Sequence, residues 1–464
     1  MTDGLEITEL NLSSLERTQR IDAEFYKKEH IAVDKVLSLW NKKSIADSFR
    51  VSDGNHMSIS DSFCEEGVPY YRGQDIYHLF IENASPVMID QATFEKPQMR
   101  RSYLQKGDIL MSIVGAIVGN SAMVTSDNPA TCSCKLSIMR SKDNGITPEL
   151  LLVYIKTKYG QVQIQKFKRG AAQTGLLLED FDQLFIPVFG EAFQTRVCQL
   201  VHSIYDYTQR AVSIYEIAQQ YLREVIGLGT ISECAISVKT LRDSFKTTNR
   251  LDAEYYQEKY QAYEAAILSA KQGYTFVKNE FMPVKEKCTR NQEAYNYVEI
   301  GDVDVGTGSV SFNTICTEDL PDNAKIITRA GDLLVSTVRP NRGAVAILDS
   351  NDLLVSGAFT VLREKGTYPK EVLQVLLRTS MYKDWLLRFN VGTSYPVIKD
   401  DDVLNMPIPL LEESVKQDTV CKVKEALSLR SQADQLLEYA KQAVEMAIEQ
   451  GEDVALAWLK DKVE

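Results

Sequence analysis

The heptapeptide RIDAEFY at residues 20–26 returns as RLDAEYY at residues 250–256, and the echo does not stop there. YYRGQDI (70–76) resembles YVEIGDV (297–303), KGDILMS (106–112) matches AGDLLVS (330–336), and LSIMR (136–140) matches FTVLR (359–363). FKRGAAQTGLLLEDFDQLFIP (167–187) lies on FNVGTSYPVIKDDDVLNMPIP (389–409), and RVCQLV (196–201) on TVCKVK (419–424). The order is kept throughout while the offset falls from about 230 to about 222, as loops of unequal length require. Two diverged copies of one folding unit restrict the chain more than any other feature does. A chain of 464 residues also exceeds what one hydrophobic core can serve.

Each copy changes character along its length. Residues 45–140 hold short β-rich runs (VPYY, DILMSIV, SAMV, LSIMR) punctuated by Gly, Asn, Asp and Pro, which predicts strands and tight turns. Pro148 with Glu149, and Pro369 with Glu371, then open one helix each, TPELLLVYIKTKYGQVQIQKF and YPKEVLQVLLRTSMYKDWLLRF. A Gly-containing loop and a short strand ending in Ile-Pro close the globule. This is an α+β domain.

A heptad seam follows. Phe193, Val197, Leu200, Ile204, Tyr207, Ala211, Ile214, Ala218, Tyr221 and Val225 alternate steps of four and three. Ala426, Leu429, Ala433, Leu436, Ala440, Ala443 and Ala447 repeat the rhythm after the second copy. Helices of about 37 residues would reach about 55 Å; Gly227 and Gly229 would stop the first and Gly451 the second. A narrow stripe this long needs a partner, so the two helices are expected to pair antiparallel and hold the two globules apart. The expected architecture is therefore α+β, with an internal pseudo-twofold repeat. A first domain at 1–190 precedes a spacer helix at 191–229, then a second domain at 230–410 and a C-terminal spacer helix and tail at 411–464.

The longest apolar run, DILMSIVGAIVGN, is too short for a membrane span, and the acidic start lacks a secretion signal, so a cytosolic protein with reduced thiols is expected. The eight cysteines make no C-x-x-C pair and the four histidines are scattered, so neither metal nor cofactor is expected. There is no N-P-P-Y or D-P-P-Y, no phosphate loop and no G-x-S-x-G. Asp108 and Asp332 each follow Gly before an apolar run, which predicts a turn entering a strand, not a catalytic carboxylate.

RIDAEFY, RGQDI, KGDIL, GAAQ before an Ile-Pro strand, and then a heptad helix, repeated in order from about Arg20 to Gly451, resemble the specificity subunits of type I restriction-modification systems. The resemblance implies two target-recognition domains, each reading one half of a bipartite duplex sequence. It also implies no catalysis, and helices that recruit two modification (methyltransferase) subunits and, through them, restriction subunits. The copies diverge where bases would be read: GQD faces IGD, IVGAIVGN faces TVRPNRGA, and GAAQTG faces GTSYPV.

Phosphate contacts fix register and base-edge contacts carry sequence. Lys166, Lys168, Arg169, Arg100 and Arg101 are the expected phosphate ligands. Arg72, Gln74, Asn120 and Gln173 in the first copy, and Arg339, Asn341, Arg342, Ser394 and Tyr395 in the second, are the expected base readers. The charged pairs of the opening heptapeptide (Arg20, Asp22, Glu24; Arg250, Asp252, Glu254) are expected to tie each domain to the helices. A net charge of −12 supports an alternative, a two-domain protein-binding scaffold without nucleic acid.

Overall fold

The computed structural model describes residues 6–13, 15, 20–84, 86–170, 174–227, 237–392 and 394–463. Two compact units are present: Met1–Tyr207 together with Ser431–Glu464, and Thr208–Arg430. Each is α+β, and the sheets of one repeat those of the other except for one edge strand of a four-stranded sheet.

In the first unit β1 (Lys42–Ser44) pairs antiparallel with β10 (Phe185–Pro187). β2 (Phe49–Asp53), β9 (Leu136–Ser141), β6 (Ile109–Ser112) and β7 (Ser121–Met123) form a four-stranded sheet in that order. A second sheet runs β3 (Phe63–Cys64), β5 (Val87–Ile89), β4 (Val68–Tyr71), β8 (Thr131–Cys132), with β4 and β8 parallel. The second unit repeats the plan. β11 (Tyr274–Phe276) pairs with β20 (Pro407–Pro409), and β12 (Phe281–Pro283), β19 (Phe359–Glu364), β16 (Leu333–Ser336) and β17 (Val345–Ile347) form one sheet. Its other sheet runs β14 (Asn313–Cys316), β13 (Ala294–Val298), β18 (Leu354–Ser356), β15 (Ala324–Ile327), again with one parallel pair, β13 with β18.

The repeated Gly-Asp explains part of this agreement. Gly107 and Gly331 hold φ of 87° and 89°, where a side chain is strained, and turn the chain into β6 and β16. Asp108 and Asp332 are each 1% exposed. Each accepts two hydrogen bonds from the arginine of the matched strand: Arg140 Nε and Nη2 at 2.8 and 2.6 Å, and Arg363 Nε and Nη2 at 2.7 Å each. The motif is a buried ion pair that locks β6 to β9 and β16 to β19.

The opening heptapeptide is likewise structural, but its anchor differs from expectation. Arg20 pairs with Asp22 at 2.7 Å and lies over Phe25, whose ring meets Phe167 edge-on. Arg250 pairs with Asp252 at 2.6 Å, lies over Tyr255, and donates to the Asn390 carbonyl at 2.8 Å. Both knots therefore dock on the segment that ends the second globular helix. The tyrosines supply the reason. Tyr26 and Tyr256 donate back to the carbonyls of Arg20 and Arg250, which curls the motif onto itself.

The single helix expected in each copy is two. α1 (Pro148–Lys156) and α2 (Lys158–Phe167) break at Thr157, which adopts φ −74°, ψ 164° and caps α2 by accepting from Gly160 N–H. In the second copy the pieces are Lys370–Leu377 and Ser380–Leu387, broken at Thr379, which caps through Tyr382 N–H. A β-branched residue whose hydroxyl can serve as N-cap favours this extended geometry over continuation.

The long helices are α3 (Glu191–Ile226) and α4 (Glu413–Gln450), followed beyond Gly451 (φ 101°) by a further helix, α5 (Glu452–Val463). Gly227 (φ 75°) ends α3; Gly229 lies outside the described residues. In the first unit Phe193, Val197, Leu200, Val201 and Ile204 share one core with Ala440, Ala443, Val444, Ala447 and Ile448, and Glu452 accepts from Gly190 N–H. In the second unit Lys422 lies over Tyr221 and Arg430 over Tyr215. The pairing is antiparallel within each unit. The buried stripe of α3 is not the predicted one throughout, because past Ala211 it runs Tyr215, Ala218, Leu222, while Ile214 and Tyr221 are half-buried and Val225 is exposed. A helix of 3.6 residues per turn drifts about 20° per heptad against a 3.5 repeat, which over four heptads amounts to nearly one residue.

Among the described residues, no helix is long and apolar enough to cross a membrane and no group of His, Cys, Asp and Glu could hold a metal ion.

Candidate nucleic-acid interface

In both units the tip between two sheet strands is tied to the loop that follows the second globular helix. In the first, Gly115 N–H donates to Thr174 O at 2.9 Å, Leu176 N–H to Ile113 O at 2.9 Å, and Arg169 and Gly175 exchange both backbone bonds. In the second, Arg339 N–H donates to Pro396 O at 2.7 Å, Ile398 N–H to Thr337 O at 2.9 Å, and Val391 N–H to Val397 O at 2.8 Å. Asn390 stiffens this loop, its carbonyl oxygen accepting from Gly392 and Val397 N–H. A Cβ on Gly392 would sit 2.1 Å from Tyr395 O, so only glycine fits. Each unit thus presents a two-loop platform on the same frame.

The second platform gathers all five residues expected of it. Arg339 takes the left-handed conformation (φ 52°, ψ 51°), Pro340–Arg342 makes a tight 3-10 turn, and Gly343 (φ 79°) leads into β17. The Arg339 guanidinium lies 5.4 Å from the centre of the Tyr395 ring. Arg339, Asn341, Arg342, Ser394 and Tyr395 are all exposed. A non-glycine residue held at positive φ is strained, and such strain often accompanies a functional turn.

The first platform is less cationic. Asn120 is half-buried beside its tip and Lys168 is half-buried after α2. Arg169 is exposed but its guanidinium meets Asp180, which is buried and whose carboxyl is pushed up by that burial. Gln173 lies outside the described residues. Lys166 departs from expectation. It is buried, pairs with Asp34, and its ammonium lies 4.4 Å from the centre of the Phe25 ring, so it is a packing cation beside the RIDAEFY knot and not a surface one.

The remaining candidates sit elsewhere on the first unit. Arg72 is half-buried and bonded to Asp75, while Gln74 beside it is exposed. A Cβ on Gly73 would lie 3.4 Å from Ser112 Oγ, which places this turn at the end of β6, from which the platform tip departs. Arg100 and Arg101 are exposed on the 3-10 turn Pro97–Ser102, but Arg101 is paired with Asp53, which also holds His56. Sequence reasoning missed Asn390 and Thr174 as loop fasteners. The position of Asn390, two before a glycine in a loop, was the available signal.

No protein-family model matches the chain. A stretch of 156 residues, 30% of this chain, is 28% identical to the type I restriction enzyme HindI specificity subunit of Haemophilus influenzae; it spans 34% of that relative, about a third of its length. Among solved structures, the type I restriction-modification S subunit from M. genitalium is similar, with 12% identity and a TM-score of 0.39, covering 88% of this chain and 95% of that one. The HsdS subunit from Thermoanaerobacter tengcongensis is another, with 13% identity and a TM-score of 0.31, covering 89% and 97%. The chain is similar to type I specificity subunits.

Proposed function

We propose that the chain is a DNA-recognition subunit of the type I restriction-modification kind, acting in the cytosol and performing no chemistry itself. The observation that carries this reading is the pair of two-loop platforms. The frame beneath them is duplicated down to single ion pairs, whereas the tips differ in charge, shape and side chains. A duplicated frame with unlike tips suits two unlike half-sites. Residues 1–190 and 230–410 would each read one half, 191–229 and 411–464 would set the distance between them, and paired modification subunits would dock and bring restriction subunits.

Base reading falls to Arg339, Asn341, Arg342, Ser394 and Tyr395 in the second domain, and to Gln74, Asn120 and Gln173 in the first. Lys168 and Arg100 supply phosphate contacts. Arg72, Arg101 and Arg169, already ion-paired, would have to exchange a carboxylate for a phosphate. Lys166 is withdrawn from the set.

Methylome sequencing of cells with and without the gene, in the presence of its modification partner, tests the reading. The expected result is a bipartite methylated motif that vanishes with the gene. Exchanging loops 337–343 and 390–398 for those of another such chain should change one half of the motif and leave the other. A chain on which no methylated motif depends, and whose complex binds duplex DNA with no salt dependence, is a protein scaffold instead.

A further inference from the structure

Arg339 stands where the two copies differ most on a shared backbone. Counted from the turn glycines Gly107 and Gly331, Arg339 falls on Gly115 and Gly343 falls on Gly119. Gly115 holds φ 106°, and its N–H donates to Thr174 O as the Arg339 N–H donates to Pro396 O. The frame therefore asks for positive φ at this point, which glycine meets freely. The second copy meets it with arginine, at φ 52°. Pro340 adds to the strain, because a proline pushes the residue before it toward extended backbone. Strain of this kind persists only where surrounding contacts hold it, and it gathers at functional turns.

The strained turn presents an arginine whose hydrogen-bonding edge is unused. Its guanidinium lies over the Tyr395 ring, and among the described residues it makes no ion pair and no side-chain hydrogen bond. Arg329, Arg363 and Arg388 of the same unit, by contrast, each hold a carboxylate. Tyr395 is itself fixed: Pro396 after it accepts from Arg339, and Val397 bridges Val338. An aromatic ring beneath a guanidinium covers a face of the plane and leaves the in-plane fork of N–H donors free. Such a fork matches two acceptors side by side. Among base edges in the major groove only guanine offers that pair, N7 and O6. A phosphate also offers paired oxygens, but phosphate contacts serve any sequence and suit the part of the frame that both copies share. Arg339 is not shared.

From this geometry we infer that Arg339 reads a guanine in the half-site of the second domain, and that Tyr395 is the positioning residue that holds the guanidinium in reading orientation; the inference rests on the DNA-reading proposal. The first domain, with Gly115 at the matched position, makes no such contact.

Methylome sequencing with the modification partner present tests the assignment. The half of the motif that changes when loops 337–343 and 390–398 are exchanged should contain a guanine. In the Arg339→Gly chain that position should accept any base while every other position is kept. Tyr395→Ala should relax the same position in part, and Tyr395→Phe, which keeps the ring, should leave it strict. A contact that only packs the two loops would instead lower the melting temperature and leave the motif intact, which overturns the inference. Duplex binding by the unaltered complex needs no variant. A deaza-guanine lacking the N7 acceptor, placed at that position, should weaken binding about tenfold; equal binding overturns the inference. The Arg339→Gly complex should bind both duplexes alike. Uniform weakening of every duplex by Arg339→Gly, with the slope of log affinity against log salt lower by about one, makes Arg339 a phosphate ligand and overturns the guanine assignment. A motif absent even with the unaltered chain overturns the DNA-reading proposal itself.

Discussion

Asp108 and Asp332 carry the same task in the two units, and their arginines are reached through neighbouring strands. Removing the charge leaves a guanidinium with half its partners, so Asp108→Asn should lower stability by about 2–3 kcal/mol in urea unfolding, with Asp332→Asn similar. Lys156 occupies in the first unit the place of Arg378 in the second, before the threonine that breaks the helix pair. Its ammonium donates to Ser121 O at 3.0 Å, and burial first, then Lys441, lower its pKa from 10.5 to about 8. A lysine with a depressed folded pKa binds fewer protons folded than unfolded between pH 8 and 10.5, so stability rises with pH across that window and the penalty is complete below it. Lys156→Met should flatten that rise relative to the unaltered chain and raise neutral-pH stability by about 1 kcal/mol, as read by melts at pH 7, 9 and 10. At this scale the sequence was partly legible. Matching LSIMR with FTVLR identified both arginines, but nothing local told Lys166 from a surface cation, because its partner Asp34 lies 132 residues away.

At the scale of elements, Thr157 shows where pattern reading fails. The apolar rhythm runs unbroken across it, yet its hydroxyl donates to Tyr154 O at 2.7 Å and caps the next helix, and Gly160 is forced because a Cβ there would meet Tyr154 O at 2.3 Å. Thr157→Ala should cost about 1 kcal/mol, and Thr379→Ala as much, by loss of the cap. The long helices were legible in existence and length but not in rotation, since a strict heptad ignores the drift of a straight helix. Ala440, Ala443 and Ala447 are fully buried where α4 meets the first unit's core. Ala443→Leu should therefore destabilise by about 1–3 kcal/mol through overpacking, whereas the same change at the exposed Gln442 should be neutral; thermal melts of both variants decide.

At the scale of the molecule, the first unit takes residues from both ends of the numbering and the second from one uninterrupted run. Trp40 Nε1–H reaches the Ile448 carbonyl at 3.1 Å across 408 positions, and Tyr159 bonds Glu449. Duplication predicted two like bodies, but periodicity gives no account of which body claims which stretch of helix. A chain ending at Arg430 should keep slow amide exchange at 281–364 and lose it at 109–141; retained protection in both would show that the first unit closes without its late segment. On the ribosome this inverts the usual order of maturation. The segment made first must wait through the synthesis of Thr208–Arg430, roughly 10–45 s at ordinary elongation rates, before its missing wall emerges, while the segment made second can close as it leaves the tunnel. The earliest-born half is the last to be finished, and it is the half for which a holding chaperone would matter most.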